Sequence, residues 1–401
     1  MSTHNHVGIL GAGAMGAGIA QVAATHGWTV TLMDLNSEIV EKAVAGIGKR
    51  LDRMVEKGRL DQADAEVTST RIRFGSRPQD IEDCSLLIEA VIEDLDAKAQ
   101  ALSPLVAAAT DELIIATNTS SLSVTEIGQR LGAPERTCGM HFFNPAPIMK
   151  LVEIISGQQT DPLVTDRVAT IADSWGKHVA KAADTPGFIV NRVARPYYLE
   201  AFRCLEDGLA SVELIDDTMK SLGGFRMGPF ELTDFIGHDV NTATTRTVWS
   251  QWKEPSRLMP SRMQEELVSS GQLGRKTGRG AYDYQGDSPI VALLPGKEAA
   301  TIHAGELDPI QRFTQKASRG SDDPVQQIVF ARILCALMNE ALWAKADGVA
   351  TEQDIDTAMK YGVNYPRGPF EWMADTGREY TAEAMKSLES MTAAGRFIPP
   401  A

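Results

Sequence analysis

Val7-Gly8-Ile9-Leu10-Gly11-Ala12-Gly13-Ala14-Met15-Gly16 runs from a short apolar strand pattern into a glycine-rich turn. Ala14 to Thr25 then continues as a helix rich in small residues, able to lie close on a sheet. Strand, Gly-x-Gly-x-x-Gly and helix together are the setting a dinucleotide loop requires. The first glycine makes the tight turn, and the second lets backbone N–H groups approach a pyrophosphate at the positive helix end. The third lets helix and strand pack closely. Gly11, Gly13, Ala14, Met15 and Gly16 are therefore candidate cofactor contacts. Thr29 to Asp34 reads as a second strand ending in a carboxylate, 18 residues past Gly16. A carboxylate there accepts from both ribose hydroxyls and repels a 2′-phosphate, which favours NAD over NADP.

Outward from this stretch, the first 185 or so residues alternate strand and helix patterns, as expected of an α/β doubly wound parallel sheet. Arg71 to Phe74, Leu86 to Ile88 and Leu113 to Ala116 are further strands. The charged stretch from Ser37 to Thr70, broken at Gly58, predicts a protruding helical hairpin. At Thr185-Pro186-Gly187 the pattern turns helical and stays so to Lys276-Thr-Gly-Arg-Gly280. Residues 286–322, with three prolines and several glycines, read as an extended connector. Residues 323–401 then repeat the middle of the chain. Arg192 to Gly237 and Arg332 to Gly377 align without a gap at an offset of 140, with 15 of 46 positions identical. Chance would give roughly three. The predicted organisation is a nucleotide-binding domain at 1–185, a helical module at 186–285, the connector, and a degenerate second copy of the module.

Bulk properties narrow the function classes. With 401 residues and 43% hydrophobic content, the chain suffices for two or three globular domains. A net charge of -14 argues against a nucleic-acid partner. No uninterrupted apolar run approaches the ~20 residues of a bilayer span, and the N-terminus lacks a basic region before an apolar one. Cys84, Cys138, Cys204 and Cys335 are far apart and match no metal spacing, so buried reduced thiols and a cytoplasmic setting are expected. His4 and His6 read as part of a terminal tail rather than as ligands.

Four further elements carry candidate chemistry. Asn118-Thr-Ser120-Ser121 follows an apolar strand at the carboxyl edge of the sheet, where ligands bind, although a serine there can equally cap the next helix. His141 lies in Gly139-Met-His-Phe-Phe-Asn-Pro145, and Glu153 in the apolar run Leu151 to Ile155. An unpaired buried carboxylate is costly, and a His–Glu pair offsets that cost while raising the basicity of the imidazole. Such a pair is either structural or the base of a dehydrogenase. Asn191 sits just past the change of pattern, facing a cleft or solvent. Lys57 and Arg59 on the hairpin could meet a phosphate or form a solvated face. Trp249, Trp252, Trp343 and Trp372 are expected to pack within the helical modules.

Together these motifs, with Gly228-Pro-Phe-Glu-Leu232 and Gly274-Arg-Lys-Thr-Gly-Arg-Gly280, resemble the L-3-hydroxyacyl-CoA dehydrogenases in order and spacing. The resemblance covers about residues 6–285, and the repeat is similar to the second C-terminal module of longer bacterial members. It implies a Rossmann-type domain followed by two all-helical modules. The implied activity is reversible, NAD-dependent oxidation of an L-3-hydroxyacyl-CoA, in fatty-acid or aromatic and dicarboxylic acyl-CoA degradation. It further implies His141 as catalytic base, Glu153 as its partner, and Ser120 and Asn191 as substrate-positioning residues. Asp34, Glu93, Lys98 and Asn118 are implied cofactor contacts, and Lys57 is a candidate CoA contact without a motif match. Relatives on this scaffold also include dehydrogenases of free hydroxy or sugar acids, and a non-catalytic NAD-binding protein is a third possibility.

The repeat departs from the pattern at Ala331, where the first copy has Asn191, and at Gln326-Gln327, where it has Pro186-Gly187. One active site per chain is expected. The two modules are expected to pair as an internal pseudo-dimer, in a chain that is a monomer or a homodimer. Similarity to the duplicated bacterial group points to short-chain substrates, such as 3-hydroxybutyryl-CoA or a dicarboxylic analogue.

Overall fold

A computed structural model describes residues 5–296, 307–392 and 395–401, which form two compact units, Met1–Phe188 and Ile189–Ala401. In the first unit eight strands form one sheet: β1 (His6–Leu10), β2 (Thr29–Met33), β3 (Ile72–Gly75), β4 (Leu86–Glu89), β5 (Ile114–Thr117), β6 (Thr137–Phe142), β7 (Leu151–Ser156) and β8 (His178–Ala183). Their order is β3-β2-β1-β4-β5-β6-β7-β8, so the winding reverses between β1 and β4. That reversal opens the crevice at the carboxyl ends of the strands. The first six strands are parallel, but β7 is antiparallel to β6, and β8 runs parallel to β7. The sheet is thus mixed where a parallel one was expected. Residues 143–150 are too few for the crossover that a parallel neighbour needs, so the chain folds straight back.

The hairpin consists of helices Ser37–Glu56 and Gln62–Thr70, with Gly58 at φ 63° in the turn between them. Val40, Ala43, Ile47 and Leu51 repeat at helical spacing and bury one face in the core shared with helix Ala14–Thr25. His6 is part of β1, not of a tail, and its Nε2 is 2.8 Å from Thr31 Oγ1. His4 lies outside the described residues.

Among the described residues, the second unit is helical apart from a two-stranded pairing of Tyr282–Asp283 with Ile290–Val291. Its two sequence repeats fold alike, with equal hydrogen bonds at the offset of 140. Phe230 and Glu231 donate their N–H groups to Asp216 at 2.8 and 3.0 Å, and Phe370 and Glu371 donate theirs to Asp356 at the same distances. Ion pairs between the repeats are reciprocal. Arg192 meets Glu340 and Asp347, both at 2.6 Å, while Arg332 meets Glu200 and Asp207 at 2.7 and 2.8 Å. Arg192, Glu340, Arg332 and Glu200 are all buried.

The stretch read as an extended connector is only partly so: Leu307–Ala317 is a helix that buries Ile310, Phe313, Thr314 and Ala317. Residues 297–306 lie outside the described ones. Helix Pro324–Ala346 is long and apolar enough to cross a bilayer by length and composition, yet 89% of its most apolar window is buried inside the unit. Among the tryptophans, Trp372 is buried against Phe225, and Trp252 lies 3.8 Å beneath the Arg192 guanidinium.

Candidate functional site

Side chains alternate along a strand, and this places the histidine. Cys138, Met140 and Phe142 of β6, with Val152 and Ile154 of β7, point into one core, leaving His141 and Glu153 on the other face. The antiparallel register sets His141 directly opposite Glu153, with Nδ1 to Oε2 at 2.7 Å. Both side chains are buried. With Nδ1 donating to the carboxylate, Nε2 remains as the acceptor, the arrangement a proton-accepting imidazole needs. Phe143 and Phe188 flank the ring, their centroids 4.6 and 5.9 Å from it. Phe188 holds φ 46°, a costly conformation for a bulky residue, after the turn at Pro186-Gly187.

A second cluster forms at the carboxyl ends of β4 and β5. Glu89 accepts from Lys98 Nζ at 2.7 Å, Thr117 Oγ1 at 2.6 Å and the N–H of Val91 at 2.7 Å. Glu93 receives Thr119 Oγ1 at 2.7 Å, the N–H groups of Ser120 and Ser121 at 2.8 and 3.1 Å, and both serine hydroxyls. Burial pushes the Glu93 pKa up, but Thr119, Lys98 and Ser120 outweigh it, and the carboxyl lies below its usual range. Lys98 is 1% exposed, with Nζ on Glu89 and 3.3 Å from Glu93. Its ammonium is thus held between the two carboxylates.

Neither Ser120 nor Ser121 caps the next helix. That role falls to Ser123, which accepts from Glu126 N–H, while Asp184 receives Val124 and Thr125 N–H. Asn118 Oδ1 accepts Phe142 N–H at 2.8 Å, tying this loop to the strand that carries His141.

The glycine turn fits a dinucleotide. Gly11 has φ 101°, and a Cβ there would meet Ala90 O at 2.5 Å. A Cβ on Gly16 would meet Gly11 O at 1.8 Å, whereas one on Gly13 would meet nothing within 4 Å. The open side of the turn at Gly13 is where a pyrophosphate approaches. Asp34 receives Ala12 N–H at 2.7 Å and Leu35 N–H at 2.8 Å, which fixes its carboxylate at the rim of that turn.

Lys57 and Arg59 are exposed at the end of helix Ser37–Glu56, and Asn191 is half-buried on helix Val190–Val193 of the second unit. Sequence reasoning missed Glu89, Thr119, Asp184, Phe188 and Lys177. Glu89 had a signal, a carboxylate closing an apolar strand. Lys177 had none: it is buried, and its Nζ donates to the carbonyls of Ala146 and Met149 at 2.6 and 2.8 Å. Burial pushes its pKa down to about 8.

Comparison with known proteins agrees with this architecture. Residues 6–185 match the family model of the 3-hydroxyacyl-CoA dehydrogenase NAD binding domain, and residues 187–284 with 328–400 match that of the C-terminal domain. The chain is 37% identical to a 3-hydroxyadipyl-CoA dehydrogenase of Escherichia coli K12, over 98% of this chain and 95% of that protein. It superimposes on a crystal structure of 3-hydroxybutyryl-CoA dehydrogenase from Escherichia coli K12 with TM-score 0.87 and 35% identity, covering 99% and 96% of the two chains. For (S)-3-hydroxybutyryl-CoA dehydrogenase from Ralstonia eutropha the TM-score is 0.68 at 39% identity, covering 71% of this chain and all of that one. The chain belongs to the 3-hydroxyacyl-CoA dehydrogenase family, NAD-dependent oxidoreductases that convert 3-hydroxyacyl-CoA to 3-oxoacyl-CoA.

Proposed function

We propose that His141 is the general base for oxidation of the L-3-hydroxyl group, held and electrostatically supported by Glu153. The observation that carries this reading is the buried 2.7 Å contact between Nδ1 and Oε2 across β6 and β7. NAD, when bound, supplies the acceptor for the hydride that leaves C3. His141 Nε2 takes the hydroxyl proton, and the Glu153 carboxylate stabilises the imidazolium that results. Ser120 positions the hydroxyl side of the substrate and Asn191 its thioester side. Gly11, Gly13, Ala14, Met15 and Gly16 hold the pyrophosphate, and Asp34 holds the adenosine ribose. Asn118 lies toward the nicotinamide, and Glu93, set by Lys98, orders the 119–121 loop. Lys57 is a CoA contact on this reading.

His141→Ala is expected to lower turnover of acetoacetyl-CoA with NADH by about a hundredfold or more, and Glu153→Gln by a similar order with NADH affinity little changed. Turnover of His141→Ala near the wild-type rate would sink the assignment.

The favoured substrates are short-chain or dicarboxylic acyl-CoA thioesters. This follows the two Escherichia coli relatives, described as acting on 3-hydroxyadipyl-CoA and 3-hydroxybutyryl-CoA. A panel varying chain length and terminal carboxylate tests it, with highest kcat/KM expected for the C4 or C6 members.

The chain carries one active site, because the second helical copy has Ala331 at the place of Asn191. Reciprocal ion pairs between the repeats support an internal pseudo-dimer, and hence a chain that works as a monomer or a homodimer of such chains. Four buried free cysteines fit a cytoplasmic setting.

A further inference from the structure

The second helical copy contains a cavity of about 850 Å³ whose lining residues all fall between Leu342 and Pro399. The corresponding face of the first copy is put to a different use. There Asp234 accepts the N–H groups of Ala281 and Tyr282 at 2.9 Å and the Tyr284 hydroxyl, while Gln264 Nε2 donates to Asn241 Oδ1 at 3.1 Å. The first copy thus lays its own 262–284 segment over this face with polar anchors. At the offset of 140, Asp234 becomes Ala374, Asn241 becomes Thr381, Thr233 becomes Met373 and Thr245 becomes Met385. The carboxylate anchor Asp234 is exchanged for an apolar side chain and two nearby threonines for methionines, and a cavity stands where the first copy has its strap.

The cavity is built, not merely left over. Leu342, Phe370, Met373, Met385, Phe397 and Ile398 supply apolar walls, and methionine adapts to flexible alkyl groups. The C-terminal wall is pinned by side chains: Asn339 Nδ2 donates to Arg396 O at 2.8 Å and Trp343 Nε1 to Ile398 O at 2.9 Å. Glu389 accepts the N–H groups of Gly395 and Phe397 at 2.7 and 3.0 Å. Lys345, Arg378 and Lys386 also line the cavity. Of the two acidic lining groups, Glu389 is thus engaged by backbone, and Glu352 by Lys345 at 2.5 Å and Arg378 at 4.0 Å. The volume falls within the range of about 300–1,000 Å³ typical of small-molecule sites.

We propose that this cavity is a second ligand site that binds a long alkyl chain bearing an anionic head, either a fatty acid or its CoA thioester. The chain lies along the Met373–Met385 wall, and the head meets Arg378 and Lys386. None of the lining residues belongs to the 1–188 unit, so this site does not depend on the catalytic assignment.

Titration of the full chain with cis-parinarate, an anionic polyene fatty acid that fluoresces in apolar surroundings, tests the proposal. Ala374 and Ala382 line the cavity and are exposed, so tryptophan fits at either position without disturbing the core. Wild type is expected to bind saturably, Ala374→Trp and Ala382→Trp to lose that binding, and both variants to reduce acetoacetyl-CoA at the wild-type rate. Charge reversal in Arg378→Glu/Lys386→Glu is expected to weaken binding by roughly tenfold at low salt and less at high salt. Each two-carbon extension of a competing saturated chain is expected to strengthen displacement by about tenfold, until the cavity is filled. Displacement by dodecanoate identifies the free acid as ligand, and displacement by dodecanoyl-CoA alone identifies the thioester. Displacement by neither, no saturable binding, or binding unchanged in both tryptophan variants would overturn the proposal.

Discussion

Gly13 and Gly16 share one turn and have opposite tolerances. Gly13 has an ordinary extended backbone, φ -66°, and open space around its missing Cβ. Gly13→Ala should therefore fold normally and lose NADH affinity, by about tenfold or more, because the methyl group stands where the pyrophosphate approaches. Gly16→Ala drives a Cβ into Gly11 O and should lower the melting temperature as well. Fluorescence titration with NADH and thermal denaturation separate the two effects. Lys177 makes a different case. Its two carbonyl contacts fix the turn after the histidine strand, and Ala146 and Pro147 of that turn press on Gly18 of the dinucleotide helix. Lys177→Met leaves two carbonyls without their donor, and about 2 kcal/mol of stability should go with it. Turnover should fall more than KM for NADH rises, and Lys177→Arg should restore part of it. At this scale the sequence was readable where a residue violated its surroundings. Glu153 within an apolar run demanded a partner, and His141 was available. Lys177 and Asp184 violated nothing, since their partners, mostly backbone groups, are distant in sequence.

Elements were legible to the degree that their patterns were local. Helix Ala14–Thr25 matches its sequence reading at both ends, and the repeat revealed itself through identities at a constant offset. The direction of β7 was not local information; it followed from the length of the connection. Helix Leu307–Ala317 was hidden by Pro309, which reads as a breaker. It falls in the first turn, where its missing N–H costs nothing, and Ile310, Phe313, Thr314 and Ala317 keep helical spacing behind it. The helices that carry Glu200 and Arg332 yield a pH prediction. Burial pushes the Glu200 pKa up, but Arg332, Arg203 and Arg396 together hold the carboxyl down to about 2. Its folded pKa is therefore depressed below that of the unfolded chain, about 4.5. The stabilisation is complete above about pH 4.5 and is lost as pH falls toward 2, roughly 3 kcal/mol in all. Glu200→Gln should be less stable at neutral pH and show a flatter acid arm in denaturant titrations between pH 4.5 and 2.

For the whole molecule, the division at Phe188 has a measurable counterpart. The dinucleotide turn belongs entirely to the first unit, so NADH should raise the unfolding transition of that unit. The expected gain is about 2.7 kcal/mol at a hundredfold excess over Kd, seen by calorimetry as a shift that grows with ligand. A Gly13→Ala chain should lose that shift at the same NADH concentration.

The crossed pairs Arg192–Glu340 and Arg332–Glu200 have a further consequence in solution. Two surfaces that recognise each other are joined by one polypeptide, so their encounter is set by tether length and not by how much protein is present. The pairing of the two repeats should persist on dilution, with the melting transition of the second unit unchanged over roughly a hundredfold range of chain concentration, where two separate modules held by mass action would come apart. The same linkage binds the two halves genetically: a charge change at Arg192 needs its answer at Glu340, 148 residues away, and one at Arg332 needs it at Glu200, 132 residues away, in the same reading frame.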